Sequence, residues 1–157
     1  MIIFNILREE IVNTSLNQIG KDYVHNTYGP NSFDCAGLVF YIYNLVMGIN
    51  IFEDGIGKST TTKVMTSKYG KLVLFDEEDL AKDLSLIKKG DVLFFHTQSL
   101  KDNEPKSNNK YPGHCGIYIG DDSFIHANSK IGHVATDNFN DNKKLYKRLV
   151  GFKNIID

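Results

Sequence analysis

The chain is poor in the features that mark disulfide scaffolds, membrane proteins and nucleic-acid binders. Of its 157 residues only Cys35 and Cys115 are cysteines, and neither belongs to a C-x-x-C pair, so a disulfide framework is excluded. The 18 basic and 19 acidic residues leave a net charge of −1. With no Lys/Arg block, nothing steers the molecule onto nucleic acid or anionic lipid. No stretch approaches the length of a membrane span. The opening "MIIFNILREE" is cut short by Arg8, Glu9 and Glu10, and it lacks the basic start and long apolar run of a secretion signal. A soluble protein made in the cytoplasm is expected. No internal repeat or linker divides the chain, so residues 1–157 are expected to form one domain with a real core.

What is present changes character halfway. Leu7, Ile11, Val12, Leu16 and Ile19 recur at helical spacing over residues 7–19, with Gly20 as a stop. "KDYVHNTYGPN", broken by Gly29-Pro30, reads as a loop. A second helix is predicted from Asp34 to Met47, ending at Gly48. Its wide apolar face of Leu38, Val39, Ile42, Leu45 and Val46 makes it central. Residues 50–88 are less regular: a short helix at Thr60–Ser67, a strand at "KLVLF" and an acidic helical turn at Asp76–Lys82 are expected there. Beyond "KKGDVLFFH", residues 91–96, 114–119, 123–127, 131–136 and 147–153 read as short strands, with 97–113 as a long polar loop. Helices first and strands after predict an α+β fold, with helices packed on one antiparallel sheet of about five to six strands.

Two tempting motifs fail on spacing. "GIGKST" lacks the leading glycine of a phosphate loop, since that position is Phe52. The two cysteines and His25, His96, His114, His126 and His133 do not fall at zinc-site spacings. No metal or other cofactor is expected.

"SFDCAGLVFYIYN" is more informative. Cys35 opens the second helix, where unpaired N–H groups and the helix dipole favour a thiolate, and the same groups are able to bind an oxyanion. A buried structural cysteine is the competing reading. Asp34 is a candidate cap, but its charge alone raises the thiol pKa. A nucleophilic Cys35 therefore needs a base, ideally a histidine with its own orienting partner. "GHCGIYIGDDSFIHA" supplies two candidates on a hairpin. A two-residue loop at Asp121-Asp122 would put His114 and His126 on opposite faces. A three-residue loop, Gly120-Asp121-Asp122, would bring His126 opposite Gly116, on the face of His114. One imidazole then acts as base while the other orients it. Cys115, on the alternate face, is read as packing, neither the nucleophile nor a disulfide partner of Cys35.

In order, "YVHNTYGPNSFDCAGLVFYIY", "KKGDVLFF" and "HCGIYIGDDSFIHA" resemble the NlpC-type cysteine peptidases, papain-like enzymes that cut bacterial cell-wall peptides. The resemblance spans residues 7–127, with core motifs at 20–48 and 88–127, and no separate wall-binding domain is evident. It implies a papain-like fold, Cys35 as nucleophile, His114 as general base and His126 as the orienting third residue. It also implies Tyr23 beside the nucleophile and Asp34 at the free amine of a stem peptide's L-alanine. The implied reaction is hydrolysis between γ-D-glutamate and the diamino acid of peptidoglycan, with a stem peptide as partner. Departures from the family pattern fall around the pocket: Ala36 replaces the serine after the cysteine, "YVHNT" replaces "YVWGG", and loop 97–113 is long. They leave open an N-acetylmuramoyl-L-alanine amidase, a cytoplasmic hydrolase of γ-glutamyl muropeptides, or an inactive wall-binding module. For a wall hydrolase, a phage-type lysin released through a pore is the setting expected.

Overall fold

The structure, a computed structural model, describes residues 1–76, 81–97 and 112–157. Helix α1 (Ile2–Leu16) buries Arg8, Ile11, Val12 and Ser15. It starts earlier than the apolar spacing predicts because Ile2, Ile3 and Ile6 are exposed, so its first turn carries no core-facing signal. It ends at Leu16; residues 17–20 form a turn, left through Gly20 at φ +89°, a conformation glycine adopts without strain. Two-residue strands β1 (Asp22–Tyr23), inside the expected loop, and β2 (Ser32–Phe33), just after it, pair in parallel.

Helix α2 (Cys35–Met47) forms where expected. Asp34 caps its start by accepting from the Gly37 N–H, and Gly48 closes it in the left-handed conformation. Leu38, Val39 and Ile42 are fully buried, each contributing about 1.5–3 kcal/mol by burial. Packing therefore outweighs the cap, which contributes about 1 kcal/mol. Helix α3 (Thr60–Thr66), capped by Ser59, and strand β3 (Lys71–Leu74) also match expectation. Asp83 caps a single 3-10 turn at Leu84–Leu86. The expected acidic turn at 76–82 and loop 97–113 fall largely on residues 77–80 and 98–111, outside the described residues.

Strands β4 (Val92–Phe95), β5 (His114–Gly120), β6 (Ser123–Asn128) and β7 (His133–Asn138) follow, then helix α4 (Lys143–Arg148) and strand β8 (Leu149–Asn154). Among the described residues they complete one sheet of eight strands in the order β2-β1-β7-β6-β5-β4-β8-β3. The expectation of five to six antiparallel strands is corrected: the sheet is mixed, and β1 and β2 make the difference, being too short to show alternation. Helix α4 escapes the pattern for a similar reason, since Leu145 is its one buried residue.

Alternation along β4 sends Val92 and Phe94 into the core beneath the helices, and Leu93 and Phe95 into a second cluster with Tyr118, Phe124, Phe139 and Phe152. Burial on both faces is why "DVLFF" reads as a continuous apolar run. Two buried cations tie the layers together. Arg8 bonds Lys89 O at 2.8 Å and Asp91 at 3.1 Å, fastening α1 to β4. Lys153 Nζ donates to Val64 O, Ser67 O and Ser67 Oγ at 3.0, 2.8 and 2.9 Å, holding the end of α3 to β8.

Candidate active site

Cys35 is the first residue of α2 and is half-buried. The preceding turn is drawn tightly against it. The Asp34 N–H donates to Thr27 O at 3.0 Å, while Asp34 Oδ2 accepts from the Asn26 N–H at 3.0 Å and Oδ1 from the Gly37 N–H at 2.6 Å. Gly37 is required by this approach, since a Cβ there would stand 2.0 Å from Thr27 O. Burial raises the Asp34 carboxyl pKa, opposed by the Gly37 and Asn26 N–H bonds. Tyr23, half-buried on β1, packs against the same core. Its phenol pKa is raised by burial, then by the negative charges of Cys35 and Asp34, so these side chains share one neighbourhood.

The Cys35 thiol is held well below the ordinary cysteine range. The largest cause is a hydrogen bond from Cys115, followed by His114 and Thr61, against the opposing effect of burial. Cys35 Sγ lies 3.6 Å from Thr61 Oγ1, which in turn lies 3.9 Å from Cys115 Sγ. Cys115 is pushed the other way by its bond to Cys35 and by burial, so it stays protonated and donates. The position of Cys35 at the helix start adds to the preference for thiolate.

Cys115 packs in the core as expected, and it also has a second contact. Strand alternation does send it to the face opposite His114. That face is the one α2 covers, so Cys115 lies in the same neighbourhood as Cys35, with Thr61 between the two sulfurs. Both thiols are free.

The histidines form a row. His114 Nε2 and His126 Nδ1 are 2.8 Å apart, and His126 Nε2 is 3.1 Å from Asp137 Oδ2. Asn142 Nδ2 donates to Asp137 Oδ1 at 3.3 Å while its own Oδ1 caps α4 at the Leu145 N–H. His126 is fully buried, and burial lowers its pKa despite the Asp137 bond. Asp137 is held below the carboxylate range, chiefly by His126 and then by Asn142. Phe95 borders His114, and Phe124 meets His126 edge-on with ring centroids 4.9 Å apart. These rings border the pair, and of the two only His126 is fully buried.

The hairpin delivers this geometry by a route different from the expected loop. Its turn is the two residues Asp121-Asp122, both at positive φ (52° and 60°), as a type I′ turn requires. A bulge between Tyr118 and Gly120 then shifts the register so that Ile117 faces Ile125. His126 thereby comes against Gly116, where a Cβ would lie 3.2 Å from the His126 Cβ. The one-residue bulge does what the longer loop was expected to do.

Cys35, His114 and His126 are thus brought together, with Tyr23 and Asp34 beside them. Sequence reasoning missed Asp137 and Thr61. Asp137 reaches His126 diagonally, because β7 pairs His126 with Ala135 and residues two apart share a face. That register depends on the 129–132 turn, which carries no distinctive signal. Thr61 depends on how α3 packs. Among the described residues no group of three or more His, Cys, Asp or Glu side chains is placed to hold a metal ion.

The NlpC/P60 family pattern matches residues 20–154. The chain is 32% identical over 109 residues to the probable endopeptidase YafL of Escherichia coli K12, covering 69% of this chain and 34% of that protein. It is 26% identical over 141 residues to dipeptidyl-peptidase 6 of Lysinibacillus sphaericus, covering 90% of this chain and 40% of that one. The solved structure of NlpC2 from Trichomonas vaginalis superposes with a TM-score of 0.68 at 25% identity, over 96% of this chain and 47% of the other. The chain therefore spans less than half the length of these relatives.

Proposed function

The chain belongs to the NlpC/P60 family, and from that premise we propose that it is a cysteine endopeptidase of peptidoglycan stem peptides. The observation that carries the reading is the continuous row from the Cys35 thiol through His114 to His126. A thiolate, a base and an orienting group are the parts nucleophilic acyl transfer needs. The name of the E. coli relative, an endopeptidase, supports the reaction class. The substrate is carried over from the family resemblance.

In this mechanism Cys35 Sγ attacks the carbonyl carbon of the scissile amide. Charge developing on the oxygen is received by the N–H groups that open α2 ahead of Gly37, whose own N–H is held by Asp34. His114, protonated by the thiol, gives its proton to the leaving amine. The acyl-enzyme is then hydrolysed by a water that His114 deprotonates, and the thiolate is restored. The bond proposed is that between γ-D-glutamate and the diamino acid. Asp34, and Tyr23 beside the thiol, line the side proposed to receive the L-alanine end.

The test is mass spectrometry of soluble products from purified peptidoglycan incubated with the protein and with Cys35→Ala. New amino termini on the diamino acid, absent with the variant, are expected. Stem peptides beginning at L-alanine would instead assign an amidase and remove Asp34 from substrate binding. A second reading, hydrolysis of soluble wall peptides, is favoured by the match to a dipeptidyl-peptidase over 90% of the chain. It predicts cleavage of free muropeptides and none of intact walls. Inertness toward both substrates would leave the wall-binding module.

A further inference from the structure

We propose that Asp137 is a positioning residue that sets the direction of proton transfer at Cys35, by fixing which nitrogen of His126, and through it of His114, carries the proton. The proposal rests on the peptidase reading for its catalytic consequence, but its structural content stands apart from it.

The argument starts at the outer end of the row. An ionised carboxylate only accepts hydrogen bonds, and Asp137 is kept ionised by its bonds to His126 and Asn142. His126 Nε2, 3.1 Å away, must then carry a proton. His126 is fully buried among aromatic rings and its pKa is depressed by that burial, so the ring is neutral and its Nδ1 is bare. His114 Nε2, 2.8 Å from that Nδ1, must be the donor. In a neutral His114 this leaves Nδ1 unprotonated and able to take the proton of Cys35. Which nitrogen of an imidazole is protonated follows from the bond its other nitrogen makes; here that rule applies twice in succession, and Asp137 is where it begins.

Asn142 makes the arrangement one-way. Its Oδ1 is committed to capping α4, so its amide nitrogen must be what faces Asp137. In an Asp137→Asn protein the new carboxamide has one oxygen, which turns to the Asn142 donor, and its NH₂ is left facing His126. The imidazole relieves the donor–donor contact by carrying its proton on Nδ1 instead. His114 Nε2 then becomes the acceptor, and the His114 proton sits on Nδ1, facing the thiol it should deprotonate.

The experiment is two-bond 1H–15N correlation NMR of histidine-labelled protein, in a Cys35→Ala background that prevents ion-pair formation. Protons on Nε2 of both His126 and His114 are expected, moving to Nδ1 of both when Asp137→Asn is added. Asp137→Glu, which keeps an acceptor, should retain the Nε2 pattern. With Cys35 present, Asp137→Asn should lower kcat on the wall substrate about 100-fold with KM little changed. The base itself loses about 10⁴-fold when its directly bonded carboxylate becomes an amide, and here one imidazole intervenes. A His126 proton on Nδ1 in the parent, an unchanged pattern on Asp137→Asn, or an Asp137→Asn enzyme as fast as wild type would each overturn the proposal. If the wild type cuts no wall peptide, the peptidase reading falls, while the ring-nitrogen pattern still decides the role of Asp137.

Discussion

Cys115→Val tests whether the thiolate is stabilised from beneath as well as by histidine. Valine is apolar, adds about one methyl group, and removes the buried S–H that donates to Cys35. A hydrogen bond to a charged acceptor contributes about 1.5–3 kcal/mol, and the weak S–H donor puts this one at the low end. About 1.5 kcal/mol corresponds to about one pH unit in the thiol pKa. The bonds from His114 and Thr61 remain, so Cys35 should still ionise below an ordinary cysteine. The assay is the rate of Cys35 alkylation by iodoacetamide across the acid and neutral range, read by peptide mass spectrometry. The rate–pH midpoint should move up by about one unit, with an unchanged plateau once the thiol is fully ionised. In the wild type Cys35 should react far faster than the fully buried Cys115. An unmoved midpoint would refute the S–H donor. A lowered plateau would mean that the substitution had displaced α2 instead.

Two further substitutions test how the site is supported. Burial brings the Lys153 pKa down from 10.5 to about 8, so between these values the unfolded chain binds more protons and stability rises with pH. From pH 7 to pH 9.5 the wild type should therefore gain about 2 kcal/mol relative to Lys153→Met in urea unfolding; a pH-independent difference would contradict the burial effect. Gly37→Ala normally favours a helix by about 1 kcal/mol, but here the new Cβ meets Thr27 O. The variant should instead lose about 2 kcal/mol, a cost typical of overpacking, and slow Cys35 alkylation as the turn moves. Equal or greater stability would show that the turn yields freely.

The helices and strands were legible wherever a long segment had one job. Helix α2 reads from the spacing of Leu38, Val39 and Ile42, with Asp34 and Gly48 as its limits. The β4–β6 strands read from apolar runs between turn residues. What escaped were elements too short to repeat a pattern: β1, β2 and α4. The first turn of α1 escaped too, because its apolar side chains face outward. At the site, the place of Cys35 on a helix start and the pairing of His114 with His126 followed from local spacing, since each needs only a neighbouring residue or one turn. The loop length alone did not decide that pairing, because a bulge and an extra loop residue shift the register by the same amount.

Sequence alone therefore determined that a cysteine stands at a helix tip and that two histidines lie on one hairpin, while the bulge between Tyr118 and Gly120 decided that they share a face. Tertiary structure decided what surrounds them. Cys115 meets Cys35 because α2 lies over that face of β5. Thr61 reaches both sulfurs because the Lys153 clamp holds α3 in place. Asp137 reaches His126 because β7 pairs in one particular register. Each of these contacts joins residues far apart in the chain, and only the packing of layers gives such residues a common address.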